Sequence, residues 1–290
     1  MNNVLNSFFD NLRNSFLSFR EAFSSQINYC FSSYISWCDT EIEILIKKLQ
    51  SQHYLGRHFD LTIENCELIF LKAKTFSETN NFELSFIFET KLTPVLETSI
   101  KEQYDILKDA SIQRSKLELE DNSKLANQTA ISANFEQNRR VQIDKLINDL
   151  TEKNIMELCF KDDDQLNIIT SSTSSALQFS CATIKFFCDC LRVYYQDISY
   201  CIVETFTKLF KFELKLYRDY LDKEAKSGGG AARSAGLPKK QDILYNISLI
   251  EKIFLIVETL YYNKTGVHSK VFHRVIEKFS KSKDDLEIKV

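Results

Sequence analysis

The side chains that chemistry could use fall in four places along this 290-residue sequence. Cys181, Cys188 and Cys190 cluster in CATIKFFCDC and, as thiolates, would be ligands for a soft metal. A helix points residues 188 and 190 about 200° apart, however, and no His lies nearby, so one ion could take both only if the helix unwound. Buried core thiols are the better reading. His53 and His58 straddle Gly56 and, with Cys66, offer a scattered three-ligand zinc set; solvated loop histidines account for them more simply. Asp162, Asp163 and Asp164 would suit a hard cation, but the D-x-D-x-D-G spacing of a calcium loop is missing. SGGGAARSAG is as glycine-rich as a phosphate loop, yet it lacks the G-x-x-x-x-G-K-[ST] spacing and no strand precedes it. With four histidines in all, few nucleophile–base pairs can be built. The expectation is therefore a protein that is not an enzyme, with no catalytic residue, no cofactor and no metal.

The elements around these residues read as helices. FETKLTPVLETSIKEQYDIL places Phe88, Leu92, Val95, Leu96, Ile100, Tyr104 and Leu107 at spacings of three and four, one face of a helical period. Extended from Phe82 to about Glu120, this helix would be about 58 Å long at a rise of about 1.5 Å per residue, with Pro94 kinking it or marking a late start. Before it, Leu5, Phe8, Phe9, Leu12, Phe16, Phe19 and Phe23 form one apolar stripe. A second helix from about Phe31 to Leu49 carries Trp37, and a third covers roughly Leu61 to Phe76. Trp37 is expected to be buried beside Phe16, Phe19 and Phe23. VQIDKLINDLTEKNIMELCF resumes a helix after a polar stretch. ALQFSCATIKFFCDCLRVYY, ISYCIVETFTKLFKFELKLYRDYL and DILYNISLIEKIFLIVETLYY follow, and a basic helix closes the sequence after Gly266.

Six Gly and two Pro leave little turn chemistry for a sheet, and 44% hydrophobic residues with 23 Phe are enough for sizeable cores. The fold expected is all-α: tandem helical bundles stacked into a rod, with one very long helix. The first bundle spans 1–160, a linker rich in Asp, Ser and Thr spans 161–173, and the second bundle spans 174–290 with a flexible Gly/Ala loop at 227–238. A net charge of −3 does not favour nucleic acid as a partner. No run approaches the roughly 18 apolar residues of a membrane span, and Asp10 stands where a signal peptide would be apolar, so a soluble, unprocessed chain is expected. Eight cysteines inside apolar helical patterns suit reduced thiols in the cytoplasm.

One charge feature stands out. Lys264, Lys270, Arg274, Lys278, Lys281 and Lys283 against Glu277 give residues 264–283 a local net charge of +5. Such a face could rest on anionic lipid, which makes a stand-alone peripheral membrane-binding helical protein the alternative function. An ordinary exposed face is favoured, because Asp284, Asp285 and Glu287 follow at once.

Three stretches together resemble the C-terminal helical region of component eight of the exocyst vesicle-tethering complex. In FFDNLRNSFLSFREAF and YCFSSYISWCDTEIEILIKKLQSQ the likeness rests on Phe16, Phe19, Arg20, Glu21, Ala22, Phe23, Cys30, Ser33 and Trp37. In FELSFIFETKLTPVLETSIKEQYDILKDASIQRSKLE it rests on Leu84, Phe86, Leu92, Leu96, Ala110 and Arg114. LQFSCATIKFFCDCLRVYYQDISYCIVETFTKLF resembles the family's later helix pair. The similarity covers most of residues 8–221. The Trp that usually follows the family's long helix has no counterpart in ELEDNSKLAN, and the loop at 227–237 is unlike the family. The resemblance implies a non-catalytic scaffold that binds other exocyst subunits during exocytosis. It would be cytoplasmic and peripheral to the plasma membrane and secretory vesicles. Small GTPases would be reached through other parts of the family protein, for whose pleckstrin-homology domain this sequence has no counterpart.

Overall fold

Residues 1–125, 175–226 and 240–277 are described by the computed structural model of the chain. Among them the protein is all-α and contains no strand. Helix α1 runs Asn2–Ala22, α2 Ile27–Ser51, α3 Phe59–Asn80, α4 Ser85–Leu125, α5 Ser175–Arg192, α6 Ser199–Lys226 and α7 Lys240–Thr265. A single 3₁₀ turn, Gln196–Ile198, joins α5 to α6, and residues 270–277 are helical after α7. The expected helix at 141–160, the linker at 161–173 and the loop at 227–238 lie outside the described residues. The chain divides into two compact units, Met1–Gln103 with Arg192–Ile202, and Tyr104–Leu191 with Val203–Val290. The first half of α4 thus belongs to the first unit and the rest of that helix to the second.

In the first unit Leu84, just before α4, and Phe88, Leu92, Leu96 and Ile100 of α4 are each fully buried. The start of α4 follows from local hydrogen bonding. Asn81 adopts a left-handed conformation after α3, and the Glu83 carboxylate then accepts the Ser85 N–H at 2.6 Å, satisfying a donor that a helix start leaves free. Pro94 consequently sits inside the helix and does not begin it. The stripe of α1 meets this seam through rings: Phe9 stacks on Phe88 with centroids 5.6 Å apart, and Phe16 on Phe82 at 4.9 Å. Helix α2 buries Tyr34, Cys38, Ile42, Leu45 and Leu49, and α3 buries Ile63, Cys66, Ile69 and Ala73.

Trp37 departs from expectation: it is 38% exposed, and Phe23 is also exposed. Tyr34 takes the buried place instead, stacked on Phe19 at 4.7 Å and donating its hydroxyl to the Leu12 carbonyl at 3.2 Å. The reason is helical phase. The buried stripe of α2 is centred on Cys38 and Ile42, and Trp37 stands about 100° away from Cys38, its ring tilted against Tyr34.

Residues 192–202 complete the first unit from far along the chain. Arg192 pairs with Glu67 at 2.5 Å, Val193, Ile198 and Ile202 are buried, and the Tyr195 hydroxyl donates to the Glu89 carbonyl at 3.0 Å beside Thr93. In the second unit an aromatic chain joins the helices: Phe187 meets Phe206 at 4.8 Å, Phe210 meets Phe254 at 4.2 Å, and Phe272 closes on Phe254 at 5.3 Å and Tyr261 at 5.6 Å. Gly266, at a φ of 70°, ends α7 with its N–H on the Tyr262 carbonyl and turns the chain toward Phe272.

Because Leu96 lies wholly inside the seam, Leu96→Ala should destabilise the protein by about 2–5 kcal/mol, and Leu96→Asp should unfold the first unit. Ile44→Ala, at an exposed position of α2, should change stability by no more than about 0.5 kcal/mol. Urea unfolding followed by circular dichroism checks the ranking; equal effects at positions 44 and 96 would refute this placement of α4.

Candidate functional site

The residues singled out for chemistry do not converge. His53 lies in the turn after α2 in a left-handed conformation, and His58 caps α3 with its carbonyl, which accepts the Thr62 hydroxyl at 2.8 Å. Both imidazoles are exposed, whereas the Cys66 thiol is fully buried and pushed upward by burial. Cys181, Cys188 and Cys190 all lie on α5. Burial pushes the Cys181 thiol up to about 11 and that of Cys188 up to about 12, the opposite of what a metal-ligating or nucleophilic thiolate needs. Among the described residues no group of three His, Cys, Asp or Glu could hold a metal, and no helix is long and apolar enough to cross a membrane. Asp162, Asp163, Asp164 and the Gly/Ala loop fall outside the described residues.

The basic face is placed in part. Lys264, Lys270 and Arg274 are exposed; Lys278, Lys281 and Lys283 lie outside the described residues. Ser269 caps the helical stretch 270–277 by accepting the Phe272 N–H at 3.3 Å. Phe272 and Val275 bury the inner side of that stretch, so Lys270 and Arg274 are held outward.

Local ion pairs occur elsewhere. On the first unit Lys91 bridges Asp39 at 2.9 Å and Glu43 at 3.0 Å, joining α4 to α2. Hydrogen bonds from Lys47 and then Lys91 hold the Glu43 carboxyl down at about 2. Pairs as exposed as these set register more than stability.

A buried polar pair escaped the sequence reading. Glu213 on α6 is 1% exposed and accepts the Ser111 hydroxyl of α4, with Arg114 as the nearest positive charge. Burial pushes its carboxyl up to about 7, against the pull of Ser111 and Arg114. A signal was available: Phe206, Phe210, Glu213 and Tyr217 occupy one helical stripe, so a carboxylate stood where the pattern demands an apolar residue. The pair has the chemistry of an interior hydrogen bond. No protein-family model matches the chain, and neither a curated protein nor a solved structure does so.

Glu213 makes a pH-resolved test of this interior. Its folded-state value lies above the ordinary 4.5, so its contribution to stability is greatest below about 4.5 and is lost as the pH rises toward 7. Glu213→Gln keeps an acceptor for Ser111 and removes the buried charge. It should stabilise the protein by on the order of 1–3 kcal/mol at pH 8 and leave it nearly unchanged at pH 4. Denaturant midpoints of both proteins at the two pH values measure this; a pH-independent difference would show that the carboxyl does not titrate between 4.5 and 7.

Proposed function

We propose that this chain is a non-catalytic subunit of the exocyst vesicle-tethering complex, a helical scaffold that binds other subunits during exocytosis. The observation that carries the reading is the three-stretch resemblance over most of residues 8–221. Two features are compatible with it. The described residues are all-α, and the matched positions include buried Leu84, Leu92 and Leu96 and exposed Trp37 and Phe86. The first set builds the helices, and the second leaves apolar surface of the kind that helical partners cover. On this reading the protein works in the cytoplasm, at the plasma membrane and on secretory vesicles.

The decisive measurement is retention of the remaining exocyst subunits by the purified, immobilised full chain. Retention of at least one subunit at physiological salt is expected, and failure to retain any would overturn the proposal. Replacing His53, His58, His268 and His273 together by Gln should leave that retention within about two-fold, since none of these side chains is buried. A folded quadruple variant that lost its partners would point to a metal or catalytic site and away from a scaffold.

A further inference from the structure

The turn and helix that follow α7 present cationic and apolar side chains on one exposed surface. Val267 is 62% exposed and Val271 45%, large values for β-branched apolar residues next to a well-packed core. Lys264, Lys270 and Arg274 are exposed around them, and among the described residues no carboxylate lies within ion-pairing distance of any of the three. Helical phase puts Lys270, Arg274 and Glu277 on the outward side of residues 270–277, opposite Phe272 and Val275, with Val271 at its edge. The surface is held in place from within. Phe272 packs on Phe187, Phe254 and Tyr261, and Ser269 caps the stretch.

Acidic neighbours are present, and Glu277 shares the outward side with Lys270 and Arg274. Glu277 stands 3.6 Å from His273, and Glu258 of α7 stands 4.0 Å from His268, whose ring lies stacked on Tyr262 at 4.1 Å. Lys264, Lys270 and Arg274 against Glu277 leave residues 264–277 with a local net charge of +2, and Val267 and Val271 are exposed in the same stretch.

We propose that residues 264–274 dock the chain on an anionic lipid surface. Lys264, Lys270 and Arg274 would lie at the level of the headgroups, and Val267 and Val271 would insert at the boundary with the acyl chains. Charge complementarity selects the occupant. A neutral bilayer would offer the valines a place but leave the cations unmatched, whereas an anionic one satisfies both. The inference does not depend on the exocyst reading, because a membrane-surface protein of another kind would use the same residues.

The test is flotation of the full chain with vesicles of phosphatidylcholine alone and of phosphatidylcholine mixed with phosphatidylserine. The chain is expected to float with the anionic vesicles only, and to be released as salt is raised. Neutralising Lys264, Lys270 and Arg274 to Gln should weaken binding roughly five-fold per side chain, and on the order of a hundred-fold together. Val267→Asp with Val271→Asp should weaken it without removing the salt dependence. All five positions are exposed, so the variants should keep the wild-type circular-dichroism melt. Failure of the wild type to float, equal binding to neutral vesicles, or unchanged binding of the triple Gln variant would each overturn the proposal. Should the Asp variants instead convert a self-associated chain to monomer in sedimentation while no vesicle binds, the face belongs to a second copy and the lipid assignment is wrong. Retention of exocyst subunits is read in a separate assay, so either proposal can fail alone.

Discussion

Helix α4 has to remain helical through Pro94, and the first unit is built around that requirement. Proline inside a helix removes one hydrogen bond and crowds the preceding turn, at a cost of about 3 kcal/mol. Leu84, Phe88, Leu92, Leu96 and Ile100 lie on both sides of it, and each fully buried apolar side chain contributes roughly 1.5–3 kcal/mol. The seam therefore outweighs the proline several-fold. Tyr195 reaches the same turn from residues 192–202, placing its hydroxyl on the Glu89 carbonyl and beside Thr93, so the locally weakened backbone is braced from outside the helix.

Much of this architecture was legible in the sequence because it is periodic. The α1 stripe gave Leu5, Phe9, Leu12 and Phe16 as core, and the α4 pattern gave Phe88, Leu92, Val95, Leu96, Ile100 and Leu107, all of which are buried. Scarce Gly and Pro gave the fold class. Misreadings arose where phase or distant contacts decide. Trp37 was judged by its size, whereas helical phase gives the inner position to Tyr34. Phe23, expected on the α1 stripe, stays exposed because it lies just past the end of that helix. That residues 192–202 belong with the first unit could not be read from a helix pattern, since what places them is Arg192 on Glu67 and Tyr195 on α4.

The distribution of polar chemistry suits a protein that works through its surfaces. Buried thiols such as Cys188 are raised by burial, and the raised carboxyl of Glu213 accepts the Ser111 hydroxyl inside the second unit. Some charged groups form local pairs, such as Lys91 with Asp39 and Glu43, while around residues 264–274 Lys270 and Arg274 face outward and Val267 and Val271 are exposed. Buried thiols and the inward carboxyl specify packing, while the outward cations are left available. Surface residues of this sort have no spacing rule comparable to a metal or nucleotide motif. Their recognition requires knowing which sides of a helix are covered.

The placement of residues 192–202 has a consequence for vectorial synthesis. Residues 1–103 leave the ribosome first, yet the segment that completes their unit lies beyond 88 intervening residues, 104–191. At roughly 5–20 residues per second, translation delivers that segment about 4–18 s later. During this interval the nascent first unit presents the surface that Val193, Tyr195, Ile198 and Ile202 will cover, including the turn around Pro94. The newly made chain is thus a client for holdase chaperones for a period set by elongation speed, and slow codons between 104 and 191 would lengthen its exposure.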